Sequence, residues 1–69
     1  MKISARNVLK GKVVKVTKGA VNSEIVLELQ GGAQIVSVIT NTSVESLGLK
    51  AGVDAYAVVK ASNVMVAVD

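Results

Sequence analysis

Residues 34–40 read Gln-Ile-Val-Ser-Val-Ile-Thr, and no other stretch constrains the fold as tightly. A period of two predicts a strand in which Ile35 and Ile39 point one way while Val36 and Val38 point the other. Both faces of that strand are apolar. A chain of 69 residues encloses one core at most, so one face is left needing cover from elsewhere. A core of this size also rarely supplies more than roughly 3–5 kcal/mol of net stability without a staple. The usual staples are missing: there is no cysteine for a disulfide, and without histidine or cysteine a structural zinc has no ligands. Oligomerisation or a bound ligand remains. Composition favours oligomerisation, because 51% of the residues are apolar while Tyr56 is the single aromatic. Flat surfaces of Val, Ile, Leu and Ala pack well against copies of themselves.

The remaining sequence reads as short strands joined by turns. Ile3 to Lys18 is a long first strand whose apolar positions change phase between Leu9 and Val13 on one side and Val14 and Val16 on the other; Gly11 is the expected place of the bulge or bend. Its four lysines, Lys10, Lys12, Lys15 and Lys18, are most simply a solvated face that discourages edge pairing. Gly19-Ala20-Val21-Asn22 reads as a turn, followed by a second strand with Ser23, Ile25, Leu27 and Leu29 on its buried face. Gly31-Gly32 turns the chain into the strand of residues 34–40. Thr42-Ser43-Val44-Glu45 fits a capping box opening a short helix, which Gly48 ends in a left-handed turn with Leu49 folding back over it. A fourth strand runs from Val53 to Lys60, and Val64, Val66 and Val68 mark a fifth. The expected fold is all-β: a five-stranded OB-like Greek-key barrel with one short helix between strands three and four, formed by residues 1–69 as one domain. A five-stranded meander with a helical loop fits the same string.

Several function classes lose support at once. No histidine or cysteine is available as base, nucleophile or soft metal ligand, and the five carboxylates are scattered, so no enzyme is expected and no cofactor is implied. No apolar run reaches the length of a membrane helix and the N-terminus lacks the apolar core of a signal peptide, so a cytoplasmic protein without a membrane partner is expected. A net charge of +3 permits an anionic partner. A single-stranded nucleic-acid-binding OB module is the alternative reading, but such sites combine basic grooves with aromatic platforms that contribute about 1–3 kcal/mol per stacked base. One tyrosine offers little of that.

What remains is a polar inventory near the expected strand ends: Ser4 and Arg6, the Gly19-Ala20-Val21-Asn22 turn, Thr42-Ser43, and Lys60-Ala61-Ser62-Asn63. Cations, hydroxyls and turn amides flanked by small residues are what a small tetrahedral oxyanion requires. Each cluster also has a plainer reading, Lys60 as a solvated strand end and Ser62-Asn63 as an ordinary turn. The clusters are far apart in sequence, so either the fold or a second subunit must unite them.

Ser4-Ala5-Arg6-Asn7 with Leu9-Lys10-Gly11, then Gly19-Ala20-Val21-Asn22-Ser23-Glu24, Val38-Ile39-Thr40-Asn41 with Ser43-Val44 and Leu47-Gly48-Leu49, and Val59-Lys60-Ala61-Ser62 together resemble the Mop, or molbindin, family of stand-alone TOBE-type domains. The resemblance spans the whole chain. It implies a cytoplasmic hexamer, a trimer of dimers, that stores molybdate or tungstate at subunit interfaces, with no metal held directly by side chains and no nucleic acid bound. The implied oxyanion contacts are Ser4, Arg6, Ala20, Val21, Lys60, Ala61 and Ser62. Arg6 and Lys60 would supply charge, Ser4 and Ser62 hydroxyls, Val21 and Ala61 backbone N–H groups. Asn22 and Ser43 are candidates for a second oxyanion site.

Overall fold

The structure, a computed structural model, describes residues 1–69. Four strands and one helix follow in the order β1 (Asn7–Lys18), β2 (Asn22–Leu29), β3 (Gln34–Thr40), α1 (Asn41–Leu47) and β4 (Asp54–Val59), with 3-10 turns at Gln30–Gly32 and Ala61–Asn63. All pairings are antiparallel, and the sheet order is β3-β2-β1-β4. The long β1 makes this possible, pairing through residues 11–18 with β2 and through residues 7–12 with β4.

The phase change in β1 is real, but it sits at Val14. Val13 pairs with Leu27 and Lys15 with Val26, which leaves Val14 as the extra residue of a bulge. The Val13 backbone turns to the other side, its N–H donating to Val53 O at 2.9 Å and its carbonyl accepting from Gly52 N–H at 2.8 Å. The bulge bends β1 so that it serves two partners and curls the sheet. Gly11 matters for a different reason. A Cβ there would lie 2.8 Å from the Glu28 carbonyl oxygen, so its lack of a side chain permits close strand approach.

Alternation along the strands gathers Val13, Ile25, Leu27 and Ala57 into a small buried core, with Val16, Ile35, Ile39, Val44, Leu49 and Ala55 packed around it. The outward set of β3, Val36 and Val38, is 58% and 65% exposed, as its two apolar faces require. At the end of α1, Gly48 adopts φ 65°, ψ 36°, and Leu49 N–H closes the turn on Val44 O at 3.0 Å. The start of the helix differs from the expected capping box. Thr40, not Thr42, is the N-cap, its hydroxyl accepting from Ser43 N–H at 3.1 Å. Because β3 runs directly into α1, the last strand residue does the capping.

The expected fifth strand is not formed. Residues 64–69 leave the Ala61–Asn63 turn without a ladder partner, and Met65, Val66 and Val68 are 94%, 89% and 92% exposed. A strand is stabilised by pairing and cross-strand packing, and this segment has neither within its own chain. The fold is therefore an open, curled, four-stranded antiparallel sheet with one helix, OB-like in element order, not a closed five-stranded barrel.

Candidate oxyanion site

Ser4, Ala5, Arg6, Val58, Lys60, Ala61 and Ser62 surround one open pocket. The β1–β4 register explains why residues from the two ends of the chain meet. Asn7 pairs with Val59, so the segment leading into β1 and the segment leaving β4 emerge side by side. The turn that follows β4 is tight, with Asn63 N–H donating to Lys60 O at 2.9 Å and Val64 N–H to Ala61 O at 3.2 Å. Those bonds use neither the Ala61 nor the Ser62 N–H, which stand at the unpaired start of the turn. Ala5 and Ala61 put no bulk between the donors.

Charge in this pocket has one sign. Arg6 and Lys60 line it, no carboxylate does, and the single ion pair of the chain lies elsewhere, between Lys12 and Asp54 at 3.9 Å. Nor does any side-chain hydrogen bond join Ser4, Arg6, Lys60 and Ser62 to one another. Two cationic and two hydroxyl side chains thus line one pocket without a side-chain hydrogen bond to the protein, beside two amides that the turn's own bonds do not use. No group of three or more acidic, histidine or cysteine residues is placed to hold a metal cation. The arrangement suits an anion that carries its own oxygen shell.

Ala20 and Val21 are not part of this pocket. They lie beyond the opposite end of β1, a strand of 12 residues whose path at about 3.3 Å per residue covers roughly 35–40 Å. Here Gly19 N–H donates to Asn22 O at 2.8 Å and Asn41 N–H to Val21 O at 2.8 Å. The Asn41 side chain gathers the corner: its Nδ2 donates to Gly19 O at 3.0 Å, and its Oδ1 accepts from the buried Ser23 hydroxyl. The two candidates for a second site are close by, because Asn22 pairs with Thr40 and Thr40 exchanges hydrogen bonds with Ser43. One chain therefore brings together Ser4, Arg6, Lys60, Ala61 and Ser62 at one end, and Ala20, Val21, Asn22 and Ser43 at the other. It does not unite the two groups. Sequence reasoning missed Asn41 as the organiser of the second corner and Thr40 as its cap; the Thr40-x-x-Ser43 spacing was the available signal, masked by the stronger Thr42-x-x-Glu45 pattern.

A small curled β-sheet that offers a basic, carboxylate-free cradle at the junction of its first and last strands defines a module for holding a compact anion. The chain belongs to the TOBE domain family, whose sequence profile matches residues 3–66. It is 56% identical over 66 residues to molybdenum-pterin-binding protein 2 of Clostridium pasteurianum, an alignment covering 96% of this chain and 97% of that one. The fold superposes on the structure of MopII from Clostridium pasteurianum with a TM-score of 0.92 at 54% identity, covering 97% and 100% of the two chains. It superposes as well on the cytoplasmic molybdate-binding protein ModG, in a molybdate-bound crystal form, with a TM-score of 0.91 at 52% identity over 94% of this chain and 46% of that one.

Proposed function

We propose that this chain binds molybdate, with tungstate as the alternative cargo, between the subunits of a homo-oligomer. The observation that carries the reading is the gathering of Ser4, Arg6, Lys60, Ala61 and Ser62 about one carboxylate-free pocket, in a chain whose relatives are named for binding molybdenum and molybdate. Arg6 and Lys60 balance the dianion, Ser4 and Ser62 donate hydroxyl hydrogens, and the Ala61 and Ser62 amides complete a donor shell around the oxygens. An open pocket of this kind is weak by itself. A unit charge about 4 Å from its partner gains about 1 kcal/mol in bulk water and about 4 kcal/mol at an effective dielectric of about 20. Covering the pocket with a second subunit moves the site toward the stronger limit. The Ala20-Val21 turn, with Val21 70% exposed and the Ala20 and Val21 N–H groups taking no part in the turn's own bonds, supplies donors from that subunit, and Asn22 and Ser43 form a second, weaker oxyanion site.

The exposed Val36 and Val38 give the oligomer a dry contact surface; a hexamer built as a trimer of dimers satisfies both requirements. The role is storage of the oxyanion in the cytoplasm, without catalysis or cofactor. No helix is long and apolar enough to cross a membrane. The name of the relative joins molybdenum to a pterin, but a bicyclic ring calls for a stacking surface. Tyr56, the sole aromatic, lines a different groove from the cradle. A bare oxyanion fits the cradle better.

Calorimetric titration with molybdate, tungstate, sulfate and phosphate tests the reading. The four share tetrahedral shape and differ in size, so molybdate or tungstate should bind at least about tenfold more tightly than sulfate, a difference of about 1.4 kcal/mol. Equal affinity for sulfate and molybdate, or no binding of either, overturns it.

A further inference from the structure

The oxyanion cradle has one wall that donates nothing. Ser4, Arg6, Lys60 and Ser62 bring hydroxyls and charge to it, and the alanines beside them expose little more than backbone. Val58 is the one branched apolar side chain there. Its place follows from the strand. Val58 pairs with Val8, and the period of two sets it on the face opposite Ala57, which is buried in the core. Lys60, two residues on, continues the extended backbone at φ −61°, ψ 128°, so the Val58 methyls and the Lys60 stem face the same pocket.

Two features set Val58 apart from an ordinary strand residue. It also lines an apolar groove, with Ile39, Ala55 and Tyr56, and it is the single residue common to that groove and the cradle. The partition between a basic pocket and an apolar one is thus one side chain. Val58 is moreover 45% exposed, so the core does not demand an apolar residue at this position. Threonine has the same branched shape and suits a strand equally well, and it would have given the cradle one more hydroxyl.

A cradle made only of donors and cations discriminates poorly between dianions. By Coulomb's law it favours the smaller ion, whose charge comes closer. A dry wall acts in the opposite sense. An anion seated against methyl groups gives up hydration on that side, and the cost rises with the square of the charge and falls with the radius. Sulfate and molybdate carry the same charge and molybdate is the larger, so the same wall costs sulfate more. Specificity is this difference between two costs. We infer that Val58 is a specificity-determining residue of the cradle: it denies a hydrogen bond to one face of the bound anion and thereby favours molybdate and tungstate over sulfate. The inference rests on the oxyanion reading proposed above and names the side chain that discriminates.

The test is the ratio of the sulfate Kd to the molybdate Kd, measured by calorimetric titration of the full chain and its variants. Val58→Thr keeps the branched shape and adds a donor, so sulfate should gain more than molybdate. The ratio should fall by at least about threefold, a part of what a hydrogen bond to a charged group is worth. Val58→Ala removes the wall and lets water reach the anion, and the ratio should fall in the same direction. Val14→Thr makes the same chemical change at the exposed β1 bulge, away from the cradle, and should leave the ratio where it is. A general loss of structure lowers both affinities together and does not move their ratio. Ratios within about twofold of the parent's in both Val58 variants, a shift under about 0.4 kcal/mol, overturn the inference while leaving the oxyanion reading intact; so does an equal fall in Val14→Thr. A parent chain that binds neither anion removes the oxyanion reading, and the role of Val58 falls with it.

Discussion

The two ends of β1 are built on opposite terms. At the Asn22–Ser43 end, every side-chain hydrogen bond of the chain is found: Ser23 to Asn41, Asn41 to Gly19, and the two between Thr40 and Ser43. At the Ser4–Ser62 end there are none, although hydroxyls, cations and amides are just as dense. The Ser23, Thr40, Asn41 and Ser43 side chains are spent on fixing the chain, while those of Ser4, Arg6, Lys60 and Ser62 make no hydrogen bond within it. Donors that satisfy one another contribute to stability and specify a turn, whereas exposed donors with no partner in the chain remain available to water or to a ligand. Serine stands at both ends, so residue type alone does not tell the two apart.

The largest effect that would break this contrast is loss of charge at the Ser4–Ser62 end. Replacing Arg6 and Lys60 together by alanine should weaken molybdate binding by at least about a hundredfold, because each charge-assisted hydrogen bond is worth about 1.5–3 kcal/mol. The urea midpoint should stay put, since both side chains are exposed and unpaired. Unchanged calorimetric affinity in this variant would show that the pocket is a solvated strand end after all.

At the other end the expectation reverses. Asn41→Ala removes the acceptor of the buried Ser23 hydroxyl and the donor to Gly19 O, and leaving one buried polar group unsatisfied costs about 1–3 kcal/mol. Urea denaturation should register that loss. Thr40→Ala, which removes the helix cap, should cost about 1 kcal/mol by the same measurement. A destabilised Asn41→Ala protein that still binds molybdate within about threefold of the parent at a concentration where it is assembled and folded, a shift of under about 0.7 kcal/mol, would sharpen the division of labour.

How much of this was visible in the residues follows from the range of the interactions. The limits of β3, the left-handed Gly48 and the return of Leu49 depend on neighbours a few positions away, and the sequence shows them directly. The bulge was legible as a phase change but not as a position, because glycine is the residue expected to yield within a strand, whereas the register breaks at Val14. Gly11 is small for the sake of Glu28, a partner 17 positions on. The valine alternation of residues 64–68 is a true strand signal, and its failure to pair within the chain is instructive: periodicity reports that a segment can line a core, not whose core it lines. Ser4, Arg6, Lys60, Ala61 and Ser62 could be grouped only through a family resemblance, since it takes the pairing of Asn7 with Val59 to make neighbours of the two chain ends.

The smallest predicted effect is also the most discriminating. Ser62→Ala and Ser4→Ala each delete one hydroxyl from the cradle, and a hydrogen bond to a charged acceptor contributes about 1.5–3 kcal/mol, so each should weaken molybdate binding by at least about tenfold. Ser43→Ala deletes a hydroxyl that already accepts a bond from Thr40 at 2.8 Å, and its expected effect on the strong site is nil, with a small loss of stability instead. Three conservative substitutions of the same atom group thus have opposite readouts if the ends of β1 differ as described. Binding losses of equal size in all three would mean that Ser43 belongs to the same anion shell as Ser4 and Ser62. Because one chain keeps the two ends apart, that result would itself require a second subunit to bridge them.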